Sequence, residues 1–196
     1  MTDFVLVRHA PAASSEPSAP LTDQGRRDAA STASRLLGWE FESAWSSDLR
    51  RASQTAEILL AGRPSPGLVR SGLLREVDPP SHRLVVEDPN GYAAWEKAAL
   101  EGLAGRLWRW VEAADGHSSV LVVSHAGPLR VLICLLLGLA PAAHWAFRVD
   151  TASISVVRRE GGMGTLLLLN DRCHLGSEPS DAPRGWEMQP TGASLL

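Results

Sequence analysis

The sequence predicts an α/β fold in which helices cover both faces of a mostly parallel central sheet, as a three-layer sandwich. Two short, continuous apolar runs, at residues 4–7 and 120–123, are typical of strands buried on both faces. Helical patterns alternate with the strand-like segments along the chain. Both buried runs end in a histidine, His9 and His125. Because ligands bind beyond the carboxyl ends of parallel strands, these histidines are expected to mark the functional site.

The first half of the chain supplies the first of the two histidines. The first buried strand ends at Arg8 and His9, and the Ala-, Ser- and Pro-rich residues 11–20 are expected to form a loop. A helix follows to about Leu37, with Thr22 as its N-cap. The remaining predicted elements are a strand at 44–47, a helix at 48–60, a turn-rich connection at 62–67 and a short edge strand at 68–74.

The second half of the chain is also predicted to alternate helices with strands. Residues 77–90 are predicted to form a loop or lid, followed by a long helix at 92–114. The other expected elements are the buried strand at 120–123, an apolar helix at 127–137 and a closing hairpin of strands at 153–158 and 165–170. We expect one domain over residues 1–175 and a flexible Ser-, Pro- and Gly-rich tail over 176–196.

Composition excludes several classes of protein. The chain has 196 residues and a net charge of −3, so no positive field attracts nucleic acid or an anionic membrane. Its longest apolar stretch, Val131 to Ala140, is shorter than the ~20 residues that span a bilayer. The N-terminus has no secretory pattern, and Cys134 and Cys173 lie far apart without metal-type spacing. These features predict a cytoplasmic protein.

The strand-end histidines suggest phosphoryl transfer. A neutral imidazole is a nucleophile near pH 7 and can form a covalent phosphoryl intermediate. The transition state then needs positive charge around the equatorial oxygens. Arg8 and Arg51 are the candidate clamps, with Arg50 as a rival of Arg51, and a protonated His125 would add a third donor.

Five segments in the same order resemble the histidine phosphatase superfamily, which includes phosphoglycerate mutases and many acid phosphatases. The segments are Leu6–Ala10, Leu21–Gly25, Ser46–Ala56, Leu74–Glu76 and Val123–Gly127. The resemblance extends from residue 4 to about 175 and implies a phosphoglycerate mutase-like fold. The residues 169–171 together with His174 resemble the C-terminal end of ribazole-phosphatase-like members.

The resemblance also implies roles for individual residues. His9 would be the nucleophile that forms phosphohistidine, while Arg8, Arg51 and His125 would line the phosphate pocket. Glu76 would protonate the leaving oxygen and later activate water. The nearby carboxylates of Asp78, Glu87 and Asp88 are rivals for that role. Ser15, Thr22 and Ala126 complete the predicted phosphate-binding set. After Glu76 the chain continues Val-Asp-Pro-Pro, unlike the Gly-Trp-Glu run of many phosphatases, so the substrate side of the pocket is expected to differ from theirs.

Together these features predict a cofactor-free, metal-independent phosphomonoesterase that acts on a small phosphorylated metabolite. No carboxylate or cysteine stands at ligand spacing from His9 and His125, which argues against a metal site. A mutase is the first alternative, disfavoured by the short segment after Glu76. A protein phosphohistidine phosphatase is disfavoured by Glu76 itself. An inactive phospho-ligand-binding relative is disfavoured because it would not need the nucleophile. Exposed sheet edges in this fold often support dimers, so a homodimer stays an open alternative.

Overall fold

Six strands form one twisted sheet with the order β3-β2-β4-β1-β5-β6. The computed structural model describes residues 1–64, 66–76, 89–114 and 116–176. The strands are β1 (Thr2–Arg8), β2 (Ser43–Ser47), β3 (Leu68–Ser71), β4 (Ser119–Ser124), β5 (Ile154–Glu160) and β6 (Met163–Asp171). The first four strands are mutually parallel, β5 is antiparallel to β1, and β6 is antiparallel to β5. The predicted fold class is confirmed.

Within the described part of the chain, four helices pack on the two faces of this sheet. They are α1 (Asp23–Arg35), α2 (Arg50–Leu60), α3 (Pro89–Ala114) and α4 (Ala126–Leu136). Side chains alternate between the faces of a strand, so Phe4 and Leu6 of β1 join a core with α3 and α4, whereas Val5 and Val7 join a core with α2. Burial on both faces explains why the β1 and β4 segments are continuously apolar.

Two segment boundaries differ from the sequence prediction. Helix α2 begins at Arg50 rather than Asp48, and the Asp48 carboxylate accepts two hydrogen bonds from Arg75, at 2.7 and 2.6 Å, in the segment before the helix. The predicted edge strand at 68–74 ends at Ser71, and a 3₁₀ turn, Gly72–Leu74, takes its place. The Ser71 hydroxyl accepts the Leu73 N–H and so starts this turn.

Two predicted segments lie largely outside the residues that the structure describes. Most of the predicted loop or lid, residues 77–88, and nearly all of the predicted tail, residues 177–196, lie outside the described residues. Residues 89 and 90, assigned to the loop from sequence, belong to the first turn of α3. Among the described residues, no helix combines the length and apolar character needed to cross a membrane.

Candidate active site

Strand register brings His9 and His125 side by side. Strands β1 and β4 are parallel neighbours in which Arg8 pairs with Ser124, so the residue that follows each strand lies at the same edge of the sheet. The His9 main-chain N–H continues the ladder by donating to the Ser124 carbonyl at 2.9 Å. The two imidazole ring centres are 4.9 Å apart. The structure therefore unites the two histidines that the sequence singled out.

The His9 ring has its tautomer set by a neighbouring carbonyl. Its Nδ1 lies 2.8 Å from the Ala10 carbonyl oxygen. A carbonyl can only accept, so the proton is on Nδ1 and the lone pair is on Nε2. Burial, together with the charges of Arg8 and Arg51, lowers the pKa of His9 to about 3. At neutral pH the ring is thus an uncharged imidazole with a nucleophilic Nε2.

The His125 ring is fully buried and bonded on one side. Its Nε2 lies 2.9 Å from the Ser47 hydroxyl oxygen, which also accepts the Leu49 N–H at 3.3 Å. That hydroxyl has its own proton to donate to Nε2, and this favours the tautomer with a proton on Nδ1. Among the described residues, Nδ1 has no hydrogen-bond partner.

Protonation of His125 is not needed for it to act as a donor. Burial lowers the pKa of His125 to about 2, and the nearby His9, Arg51 and Arg8 contribute to the shift. A protonated His125 was the third donor expected from sequence, whereas the lowered pKa favours a neutral ring at physiological pH. The neutral tautomer still offers its Nδ1–H as a hydrogen-bond donor.

Arg8 and Arg51 supply the positive charge beside the histidines. The Arg8 Nη1 donates to the Val149 carbonyl at 2.8 Å. Arg51, in the first turn of α2, is buried, and its Nη1 donates to the carbonyls of Ser15 and Glu16 at 3.1 and 3.3 Å. The rival Arg50 is exposed and bonds the Ser18 carbonyl at 3.3 Å. Burial and charge coupling to both histidines favour Arg51.

Helix α2 also fixes the loop that follows His9. The Ala10 N–H donates to the Thr55 hydroxyl at 3.1 Å, and that hydroxyl donates to the Arg51 carbonyl at 2.7 Å. One turn of helix therefore links the backbone next to His9 with Arg51. Farther along the loop, the Leu21 N–H donates to the Gln54 side chain at 2.8 Å. Thr55 and Gln54 lie within the segment quoted in the sequence analysis, but no role was predicted for them.

Glu76 lies at the N-terminus of α4, directly beyond His125. The Gly127 N–H is 3.2 Å from Oε1 and 3.4 Å from Oε2 of Glu76. The segment before Glu76 is anchored by the Ser124 hydroxyl, which donates to the Leu74 carbonyl at 2.7 Å. Glu76 is partly buried. The rival carboxylates at positions 78, 87 and 88 lie outside the described residues.

The three secondary candidates have different surroundings. The Thr22 hydroxyl caps α1 by accepting the Gly25 N–H at 2.9 Å and donates to the Pro11 carbonyl at 3.3 Å. Ser15 is exposed, and its carbonyl bonds Arg51. Ala126 is the first residue of α4, where main-chain N–H groups point out of the helix. The N-cap prediction for Thr22 is confirmed, while phosphate contacts for all three stay predictions.

A third cation close to the site, Arg130, was not predicted from the sequence. It is the one charged residue of α4, and its guanidinium lies 5.7 Å from the centre of the Trp145 ring. Burial lowers the pKa of Arg130, and the charges of Glu76 and Asp150 partly oppose that shift. The feature of the sequence that could have identified Arg130 is its place as a single arginine inside an apolar helix. No feature of the sequence indicated a role for Trp145, which is 63% exposed.

The described residues offer no group of three His, Cys, Asp or Glu side chains that could hold a metal ion. The positive charges at the site come from arginines. The His9 ring is bonded through Nδ1 to the Ala10 carbonyl, and the His125 ring through Nε2 to the Ser47 hydroxyl. The arrangement can bind a tetrahedral anion between Arg8, Arg51 and the two rings, with a carboxylate close by. A nucleophile, cations around the anion and a nearby carboxylate are the groups that phosphoryl transfer to a histidine requires.

Comparison with known proteins gives a consistent result. The family model of the histidine phosphatase superfamily (branch 1) matches residues 4–172. The adenosylcobalamin/α-ribazole phosphatase of Salmonella typhimurium is 31% identical over 171 residues, covering 78% of this chain and 85% of the relative. Phosphoserine phosphatase 1 of Hydrogenobacter thermophilus is 27% identical over 175 residues, covering 80% and 82%. The crystal structure of the α-ribazole phosphatase from Shigella flexneri superposes with a TM-score of 0.72 at 26% identity, covering 86% of this chain and 96% of that one.

Proposed function

Because the chain belongs to branch 1 of the histidine phosphatase superfamily, we propose that it is a metal-independent phosphomonoesterase that works through a phosphohistidine on His9. The observation that carries the proposal is the hydrogen bond from His9 Nδ1 to the Ala10 carbonyl, 2.8 Å long. It leaves Nε2 unprotonated between two arginines. A binding module would have no use for that arrangement.

The family match confirms the resemblance drawn from the five sequence segments. The relatives are named phosphatases, so the prediction of a hydrolase is confirmed as well. The substrate and the mechanism belong to the present proposal.

In the first step, His9 Nε2 attacks the phosphorus, and the bond from phosphorus to the leaving oxygen breaks. Protonated Glu76 transfers its proton to that oxygen, so the leaving group departs as an alcohol. The equatorial oxygens receive hydrogen bonds from Arg8, Arg51 and the His125 Nδ1–H. These preorganised donors stabilise the charge that spreads over the oxygens in the transition state.

In the second step, water attacks the phosphohistidine. The Glu76 carboxylate accepts a proton from the water, the bond from phosphorus to Nε2 breaks, and inorganic phosphate leaves. His9 returns to its neutral form and Glu76 to its acid form, so the cycle closes. Since the arginines supply the electrostatic stabilisation, the proposed cycle requires no metal ion.

A small phosphomonoester is the proposed class of substrate. The two relatives compared above are named for α-ribazole phosphate and phosphoserine chemistry, both phosphomonoesters of small molecules. The proposed substrate therefore stays at the level of a phosphorylated small metabolite.

The test is hydrolysis of p-nitrophenyl phosphate between pH 4 and 8 with EDTA, for the wild type, His9→Ala, Arg51→Ala and Arg50→Ala. We expect wild-type turnover in EDTA, loss of activity in His9→Ala, and a drop of about 10²-fold or more for Arg51→Ala only. Rapid quenching of the wild type should trap an acid-labile phosphohistidine. Turnover that survives in His9→Ala, or that requires a divalent metal, would overturn the proposal.

A further inference from the structure

Arg130 is a partly buried cation that has no hydrogen-bonded partner among the described residues. No hydrogen bond or ion pair joins it to any described residue, and its Nε is shielded from solvent. Burial lowers the pKa of Arg130. An N–H that is shielded from solvent is costly to leave unpaired, and the planar fork of a guanidinium suits an anionic partner. The missing partner is expected to be a ligand.

The two nearby carboxylates, Asp150 and Glu76, form no ion pair with Arg130. The Asp150 carboxylate already accepts Arg148 Nε at 2.9 Å and Asn170 Nδ2 at 3.0 Å. The Glu76 carboxylate is held at the Gly127 N–H. Both act on Arg130 through their charge without forming an ion pair with it. Its donors therefore remain available to another anion.

The position of Arg130 places that anion on the leaving-group side. Arg130 follows Gly127 by three residues, so both lie on one face of α4, and helical side chains lean toward the N-terminus. The guanidinium is thereby directed toward Glu76, the proposed acid. The charges that act on the two histidines are those of Arg8 and Arg51, whereas the charges that act on Arg130 are those of Glu76 and Asp150.

Trp145 completes the surroundings of this arginine. Its ring centre lies 5.7 Å from the guanidinium carbon, a cation–π distance, and 63% of the residue is exposed. Contact with the ring covers one face of the guanidinium but engages none of its in-plane N–H donors. Those donors match the two oxygens of a carboxylate.

We propose that Arg130 and Trp145 form a subsite for the leaving group, in which Arg130 binds a carboxylate carried by the substrate. The inference rests on the proposed function, since it assumes that phosphate lies at His9 and the leaving oxygen near Glu76. The preferred substrates are then phosphorylated hydroxy acids or hydroxy amino acids rather than neutral phosphoesters.

The experiment compares two substrates of similar size, 2-phosphoglycolate and ethyl phosphate, by kcat/KM. We expect the wild type to prefer 2-phosphoglycolate. Arg130→Gln should lose about 10- to 100-fold on 2-phosphoglycolate, mainly through KM, and less than about threefold on ethyl phosphate. Arg130→Lys should restore part of the loss, because it keeps the charge without the planar fork. Arg109→Gln, which removes an exposed arginine from α3, is the charge control and should change neither value.

Failure of the proposed function and failure of the subsite give different experimental results. Absence of turnover on every phosphomonoester, p-nitrophenyl phosphate included, would reject the proposed function. Turnover of both small substrates without a carboxylate preference, or equal losses on both in Arg130→Gln, would reject the subsite alone. A thermal melt separates misfolding from function: the Tm of Arg130→Gln should be unchanged or higher, because the variant removes a partly buried charge that has no ion pair with a described residue. A lowered Tm with equal losses would assign Arg130 a structural role.

Discussion

The main-chain N–H of Gly127 donates to Oε1 of Glu76 at 3.2 Å, so the proposed acid is held by the first turn of the helix that starts beside His125. The two residues also fit tightly, because a Cβ at position 127 would overlap Oε1 of Glu76. Gly127 therefore leaves room for the Glu76 carboxylate, which any larger residue would have to displace. Its conformation alone would allow other residues.

Gly127→Ala should displace the Glu76 carboxylate and lower kcat by about 10- to 100-fold on alkyl phosphates, since a small misplacement of a catalytic group is costly. Helix propensity favours the alanine, so the Tm should not fall by more than a few degrees. Gly105→Ala is the matched control, because nothing lies within 4 Å of the new Cβ on α3. It should keep full activity, and an equal loss in both variants would contradict the contact.

Glu76→Gln should slow formation of phosphohistidine according to the basicity of the leaving group. An alkoxide needs a proton to depart, so the first-turnover rate on ethyl phosphate should fall by about 10²- to 10⁴-fold. Nitrophenolate leaves without help, and its first-turnover rate should fall by less than about tenfold. Rapid-quench measurement of the phosphoenzyme checks both values. Equal losses on the two substrates would mean that Glu76 is not the acid.

The paired histidines were predictable from sequence because the signal is local. Residues 4–7 and 120–123 are apolar on both faces, which only strands inside a layered sheet require, and each run stops at a histidine. Parallel pairing of the two strands then brings His9 and His125 together whatever the helices do. The Thr22 N-cap was predictable for the same reason, since a cap is decided within one turn.

Other features depend on contacts between distant segments. The ion pair of Asp48 with Arg75, 27 positions apart, lies directly before α2, and no periodicity reveals it. Arg130 is visible in the sequence as a charge in an apolar helix. Its environment, however, arises from Glu76, Trp145 and Asp150, which come from three other segments. The pattern identified the phosphate side of the site and left the leaving-group side undetermined.

The two histidine rings of the free enzyme should remain neutral through the mildly acidic range. The pKa of His9 is lowered to about 3 and that of His125 to about 2, against an ordinary value of 6.5. NMR titration of the ring signals between pH 5 and 8 should show no midpoint for either residue, with His9→Gln used to assign the His9 signals. A midpoint near 6.5 for His9 would contradict its burial.

Stability should follow from the same shifts. A histidine whose pKa is lowered on folding binds its proton in the unfolded chain first, so its contribution is complete above pH 6.5 and is lost as the pH falls toward 3. The slope is about 1.4 kcal/mol per pH unit for each such group. Urea unfolding of His9→Gln between pH 6 and 4 should show a dependence on pH weaker by about this amount. An unchanged slope would rule out the lowered pKa of His9.

Two adjacent serines at the end of β2 offer a matched test of the His125 tautomer. The Ser47 hydroxyl lies 2.9 Å from His125 Nε2, whereas the equally buried Ser46 hydroxyl has no hydrogen-bond partner among the described residues. Ser47→Ala removes the group that favours a proton on Nδ1, so the donor toward phosphate is weakened. We expect kcat/KM on p-nitrophenyl phosphate to fall about tenfold and the Ki of inorganic phosphate to rise in parallel.

Ser46→Ala should leave both constants within about twofold, and it should not reduce stability, because it removes a buried hydroxyl that has no partner. Ser47→Ala should cost about 1 kcal/mol of stability, since its hydroxyl bonds both His125 and the Leu49 N–H. If the two variants had the same kinetic effect, packing at the strand end would explain the result. Only a loss confined to Ser47→Ala supports a neutral His125 that donates through Nδ1, because only that serine contacts the ring.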